Sequence, residues 1–333
     1  MMIKEYTDAF GVSGCEGEIR KIIKNRVYDK GETNIDNMGN LLVHKEGKGP
    51  KVMVSAHMDE VGFIVNGIKD DGRITFSPVG GIDTRILISK RVIFKNKNIV
   101  GVIGSKPIHL QTQKEAESPL PLKDLFIDIG AESKKQAEKY VSIGDYAVFE
   151  SEYVDMGRCI KAKALDDRVG CAILTKVLEE DFGIDLYGAF TVQEETGLRG
   201  AGVAAYKIRP KVALVLEGTT CADTTEDEKD YVSSLGLGPV LSPMDGASMA
   251  NEKLLKHIIG VAEKNNIPYQ FKKGRSGGND AGIIHKTGEG VMTASISVPV
   301  RYIHSPISIM AKEDYENTLK LVELVLKSLE EVI

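Results

Sequence analysis

The 333-residue chain is 42% hydrophobic and 27% charged with a net charge of −5, enough for a sizeable core and for two domains. It carries no basic stripe of the kind that binds nucleic acid, and no apolar run approaches a membrane span. No secretory leader is expected, since Lys4 and Glu5 interrupt the N-terminus; the scattered Cys15, Cys159, Cys171 and Cys221 read as reduced thiols of a cytoplasmic protein.

In chain order, Ile19, Ile22, Ile23 and Val27 at helical spacing predict a helix within 16–31. Residues 40–49 and 51–58 read as strands joined by a Gly-rich turn. From about residue 66 the texture changes to short β segments at 72–81, 91–105 and 145–153, with one helical patch at 131–140. The polar, Pro-containing stretch 111–124 reads as a mobile loop. After about residue 155 helices and strands alternate: helix 166–180, strand 186–195, strand 211–218, helix 248–266, strand 290–304 and a closing helix over 312–333. Such alternation predicts an α/β fold, a mostly parallel sheet with helices on both faces. Residues 1–65 and 155–333 then form one discontinuous domain, into which a small β-rich domain, 66–154, is inserted.

Ligands of open α/β sheets bind beyond the carboxyl ends of the strands. There the chain places His57 and Asp59, Glu194 and Glu195, Glu217 and His304, while Asp166 and Asp167 precede a helix. Each has an ordinary reading: His57 as a satisfied strand-end histidine, the Asp pair as a helix cap, Glu194 and Glu195 as solvent-facing acids. Glu217 is harder to dismiss, because a carboxylate following "VALVL" is costly to bury alone. Mixed imidazole and carboxylate donors suit zinc, cobalt or manganese. Three carboxylates balance two divalent ions and one bridging hydroxide, so the charge favours two ions over one. Adjacent Glu194 and Glu195 would point to opposite faces of a continuing strand, so the backbone should leave the strand there, with Gly197 permitting the turn.

The segments "SAHMDEVGF", "ALDDRVG", "QEETGLRGA", "LEGTT" and "RYIHSP", in this order, resemble the dinuclear-metal aminopeptidases of the glutamyl and deblocking family, some of which carry the label cellulase M. The resemblance covers nearly the whole chain, insertion included. It implies a zinc-peptidase fold and a metal-dependent aminopeptidase acting on peptides, assembled as a dodecamer built from dimers. It implies that Asp166 bridges two metals, that His57 and Glu217 complete one and that Glu195 and His304 complete the other. Glu194 would be the general base, Asp59 would orient the His57 ring, and the Asp166–Asp167 bond would be cis. Many relatives have Asp where this chain has Glu217, which leaves Asp223 as an alternative ligand and Asp167 as an alternative bridge. Gly277, Gly278 and Asp280 match a family segment near the substrate amine or its side-chain pocket, although a capped helix start reads equally well. His44, His109, His257 and His285 are expected to be structural or surface residues.

A dinucleotide site at Gly200–Ala205 is disfavoured, since "EETGLR" separates the glycines from their strand and Pro210 stops the following helix early. A glycosidase is disfavoured by the absence of Trp and by 6% aromatics. The acyl-side residue preference is left open at this point: acidic, neutral and basic residues all remain.

Overall fold

The computed structural model describes residues 2–95, 99–113, 117–225, 227, 231–275 and 277–332. Four parallel strands form the centre of its large sheet, in the spatial order Ile184–Thr191, Lys48–His57, Val212–Cys221 and Met292–Arg301. Antiparallel strands extend both edges, Glu32–Ile35 and Leu41–Lys45 on one side, and Ser308–Ala311, Cys159–Ala162 and Val154–Met156 on the other. The alternation of helix and strand thus builds the parallel core, and hairpin-type connections add the rims.

The central strands are apolar on both faces because both are covered. Val52, Val54, Leu214 and Leu216 point to the larger core, which includes Ile19, Ile23, Val169, Leu174 and Leu321. Met53, Ala213 and Val215 point the other way, onto Ala201, Ala204, Ala205 and Ile284. The helix Leu165–Glu179 packs on the Lys48–His57 and Val212–Cys221 strands, and Arg199–Ile208 covers the opposite face. Met2–Asp8 is a helix that the sequence pattern did not announce.

Six antiparallel strands between Gly62 and Phe149 close into a small barrel around Phe63, Ile74, Val92, Ile103 and Ile127. The expected division at 65/66 falls inside its first strand, Gly62–Ile68, because the chain runs almost directly from the His57 strand into the barrel. Val154–Met156 lies in the large sheet instead, so the insertion gives way to the sheet slightly before the expected 154/155 division. Within the polar stretch 111–124, Leu122–Asp124 is a short 3₁₀ turn; residues 114–116 lie outside the described residues.

Candidate metal centre

The chain reverses its direction of travel across the sheet at the His57 strand, going first to the Ile184–Thr191 side and then to the Val212–Cys221 side. A crevice opens at the carboxyl ends of such strands. Pairing between the His57 and Glu217 strands stops at Val215↔Ser55, so Glu217 and His57 stand abreast two residues further on, where the strands part. Their side chains meet: His57 Nε2 lies 3.1 Å from Glu217 Oε1 and 3.3 Å from Asp166 Oδ1. The Met292–Arg301 strand ends three residues before His304, rather than running through it as expected. Tyr302 and His304 both take left-handed conformations there, turning His304 Nε2 to 3.4 Å from Asp166 Oδ2 and 3.2 Å from Glu195 Oε2. Two donor groups result, His57–Asp166–Glu217 and Asp166–Glu195–His304, with Asp166 common to both.

The opening between the two halves of the QEE run is also geometric. The strand stops at Thr191, Gln193 adopts φ +57°, and Glu194 O accepts from the amides of Gly197 and Leu198. Gly197 has φ +115°, a conformation that disfavours any side chain. Glu195 joins the His304 group, whereas Glu194 belongs to neither, its Oε2 lying 4.0 Å from His57 Nε2. Asp59 is fully buried and ties the pieces together. It accepts from the amides of Glu194 (3.0 Å) and Glu195 (3.1 Å) and from Ser13 Oγ (2.6 Å), and its Oδ1 lies 3.4 Å from His57 Nδ1.

Gly218 lets the Glu217 strand pass close to this junction: a Cβ there would sit 2.9 Å from Asp166 Cα. The Asp166–Asp167 peptide bond is cis. Asp167 turns away from the donor groups, accepting from the amides of His57 (3.1 Å) and Gly170 (3.0 Å). Asp223 is committed to Arg301, with Oδ1 2.5 Å from Nε and Oδ2 2.7 Å from the terminal nitrogen. Neither therefore stands with the other donors.

Crowding shifts every charge. Burial pushes the Glu194 and Glu217 carboxyls well above the usual carboxylate range and Glu195 up to about 8. Burial opposes the charge of Asp166 as well, but the His304 and His57 rings hold it below its ordinary value. Burial likewise works against charge on the imidazoles, yet Glu217 and Asp166 carry His57 upward, and Asp166 and Glu195 raise His304 to about 9. So many acids in one buried volume need positive charge beside them. Glu217 Oε2 is buried with no hydrogen-bond partner among the described residues, a lone pair set that a cation would satisfy. Imidazole and carboxylate donors in two groups sharing one carboxylate fit a pair of divalent ions.

A cavity of about 310 Å³ opens on the donors, lined by Glu194, Glu217, Thr219, Lys272, Gly277, Gly278 and Asn279 among others. Asp280 does not line it. Its Oδ2 accepts from Thr191 Oγ1 (2.6 Å), its Oδ1 is buried without a partner among the described residues, and burial raises its carboxyl to about 6. The other histidines lie elsewhere: His44 pairs with Asp185, His257 with Ser328 and His285 with the Ala281 carbonyl, while His109 sits in an exposed turn. Two contributors left no local signal in the sequence. Gly81 O, from the barrel side, fixes His304 Nδ1 at 2.9 Å, and Ser13 reaches Asp59 from the N-terminal loop.

Residues 39–321 match the family model described as M42 glutamyl aminopeptidase. The chain is 34% identical to the lysyl aminopeptidase of Pyrococcus furiosus, over 98% of this chain and 96% of that one. Its structure is similar to a crystal structure of the TET aminopeptidase from the marine sediment archaeon Thaumarchaeota archaeon SCGC AB-539-E09, with a TM-score of 0.95, 35% identity and 98% and 96% of the two chains covered. It is also similar to the Pyrococcus horikoshii TET1 peptidase, a protein described as assembling into a tetrahedron or a large octahedral shell, with a TM-score of 0.88, 34% identity and 98% of each chain covered.

Proposed function

The chain belongs to the M42 glutamyl aminopeptidase family and is a peptidase; on that premise we propose that it removes N-terminal residues from peptides with the help of two divalent metal ions, zinc or cobalt. The observation that carries this reading is the pair of donor groups meeting at Asp166, with one further carboxylate, Glu194, beside them and outside both. His57 and Glu217 would hold one ion, Glu195 and His304 the other, and Asp166 would bridge them. When bound, the ions supply Lewis acidity that polarises the scissile carbonyl and acidifies water.

The protein's own groups do the rest. Glu194 takes a proton from the attacking water and returns it to the leaving amine, a role that requires freedom from a metal and a carboxyl able to hold a proton. Asp59 fixes the His57 ring and the backbone of both glutamates, so their positions are set before substrate arrives. The cavity takes the N-terminal residue. Lys272 brings an ammonium to its wall, near where a Gly277 side chain would stand, and has no ion-pair or hydrogen-bond partner for that ammonium among the described residues. A cation on the wall of the substrate cavity favours an acidic N-terminal residue.

Assembly as a dodecamer built from dimers belongs to the same reading, supported by the similarity to the TET1 peptidase and by the exposed Ile108 and Leu110 on the inserted barrel domain. Four unpaired cysteines fit a reducing, cytoplasmic setting, and among the described residues no helix is long and apolar enough to cross a membrane. The test is a panel of aminoacyl-p-nitroanilides with metal-stripped enzyme reconstituted in Zn²⁺, Co²⁺ or Mn²⁺. Activity restored by metal and highest on glutamyl or aspartyl substrates is expected, with Lys272→Glu lowering that preference. Activity indifferent to chelation would reject the metal reading, and a preference unchanged in Lys272→Glu would reject the role of Lys272.

A further inference from the structure

We propose that Glu16 is a positioning residue that sets the Gln193–Glu195 turn, and through it the separate placements of Glu194 and Glu195; its catalytic meaning rests on the function proposed above. Glu16 lies in the loop between the first two helices, a carboxylate only 4% exposed. Its Oε1 accepts from the Gly14 amide at 2.6 Å, which shapes its own loop, and from the Gln193 amide at 3.3 Å, which belongs to the turn. The next two amides, of Glu194 and Glu195, go to the two oxygens of Asp59, and Ser13 of the same loop donates to Asp59 at 2.6 Å. Three successive N–H groups are therefore gathered by two buried carboxylates.

Successive amides converge in this way only when the backbone departs from a strand, and Gln193 does so with φ +57°. That conformation is uncommon for a residue with a side chain and persists where its surroundings hold it. With the amides fixed on one side, the Glu194 and Glu195 side chains diverge on the other, one beside the donor groups and one within them. Glu16 and Ser13 lie outside residues 39–321, the segment that the family model matches. The bond needs an acceptor oxygen, not a charge, so glutamine should serve in its place.

The experiment compares wild type, Glu16→Ala and Glu16→Gln as metal-loaded enzymes, by amide hydrogen exchange of peptides covering residues 192–198 and by kcat and KM on one anilide substrate. In Glu16→Ala the segment should exchange about tenfold faster while the rest of the chain is unchanged, and kcat should fall about tenfold or more with KM nearly constant. Glu16→Gln should restore both. Wild-type exchange and kcat in Glu16→Ala would overturn the proposal, as would Glu16→Gln behaving like Glu16→Ala or exchange accelerated throughout the chain. A wild type lacking aminopeptidase activity would defeat the function proposed above, and the exchange pattern alone would still decide whether Glu16 holds the turn.

Discussion

Among individual residues, the division between Glu194 and Glu195 has the sharpest consequence. Glu194→Gln keeps shape and leaves the donor groups intact, so it should bind the same number of ions while kcat falls about 10²–10⁴-fold; metal analysis beside steady-state kinetics checks this. Asp223 gives a pH prediction. Burial opposes its charge, but the Arg301 guanidinium and the Leu235 amide hold its carboxyl down to about 2. A depressed folded-state value contributes stability above the ordinary carboxylate range, and that contribution disappears as pH falls from about 4 to about 2. Denaturant unfolding of the metal-free protein should therefore find Asp223→Asn weaker at pH 7 by about 1 kcal/mol, since solvent screens part of the ion pair, with the gap closing at the acid end. His57, Glu194, Glu195, Glu217 and His304 stood out in the sequence because polar residues at the ends of apolar strands are costly unless used, and Asp166 stood out as one of two adjacent acids before a helix. Ser13, Glu16 and Gly81 did not, because a side chain reaching a distant backbone group, or a carbonyl reaching a ring, leaves no periodicity and no composition behind.

At the level of strands and helices, β-branched runs made the parallel core legible, and the 3.6-residue spacing of Ile19, Ile23 and Val27 revealed the helix Gly17–Val27. Where strands stop was less legible. The predicted strands ran to Glu195, with a departure expected at the two glutamates, and to His304, but the ladders end earlier, at Thr191 and Arg301, because the residues that follow take left-handed turns that present side chains to the site. Hydrophobic alternation records which face is buried; it is silent about such turns. Close approach between elements yields its own prediction. A methyl on residue 218 would press on Asp166 Cα, and the neighbour is backbone, which cannot rotate away. Gly218→Ala should cost about 1–3 kcal/mol in stability and weaken metal binding, as read by thermal unfolding and by metal titration. Unchanged metal affinity would show that the Glu217 strand and Asp166 can separate without harm.

For the whole molecule, the barrel does more than decorate the sheet, since Gly81 holds His304 and so couples the insertion to the donor groups. The exposed Ile108 and Leu110 give the barrel an apolar face outside its own core. Sedimentation should show wild type as a twelve-chain particle, and Ile108→Glu with Leu110→Glu should release smaller species that still cleave a small anilide; a wild-type monomer would contradict this. Under the proposed function Asp166 would lie between two ions, one completed by His57 and Glu217 and the other by Glu195 and His304. Anomalous scattering from crystals of the zinc-reconstituted enzyme would locate the ions. Two peaks about 3.5–4 Å apart are expected, one on each side of Asp166. A single peak, or a peak held by Asp167 or Asp223 in place of these residues, would contradict this reading.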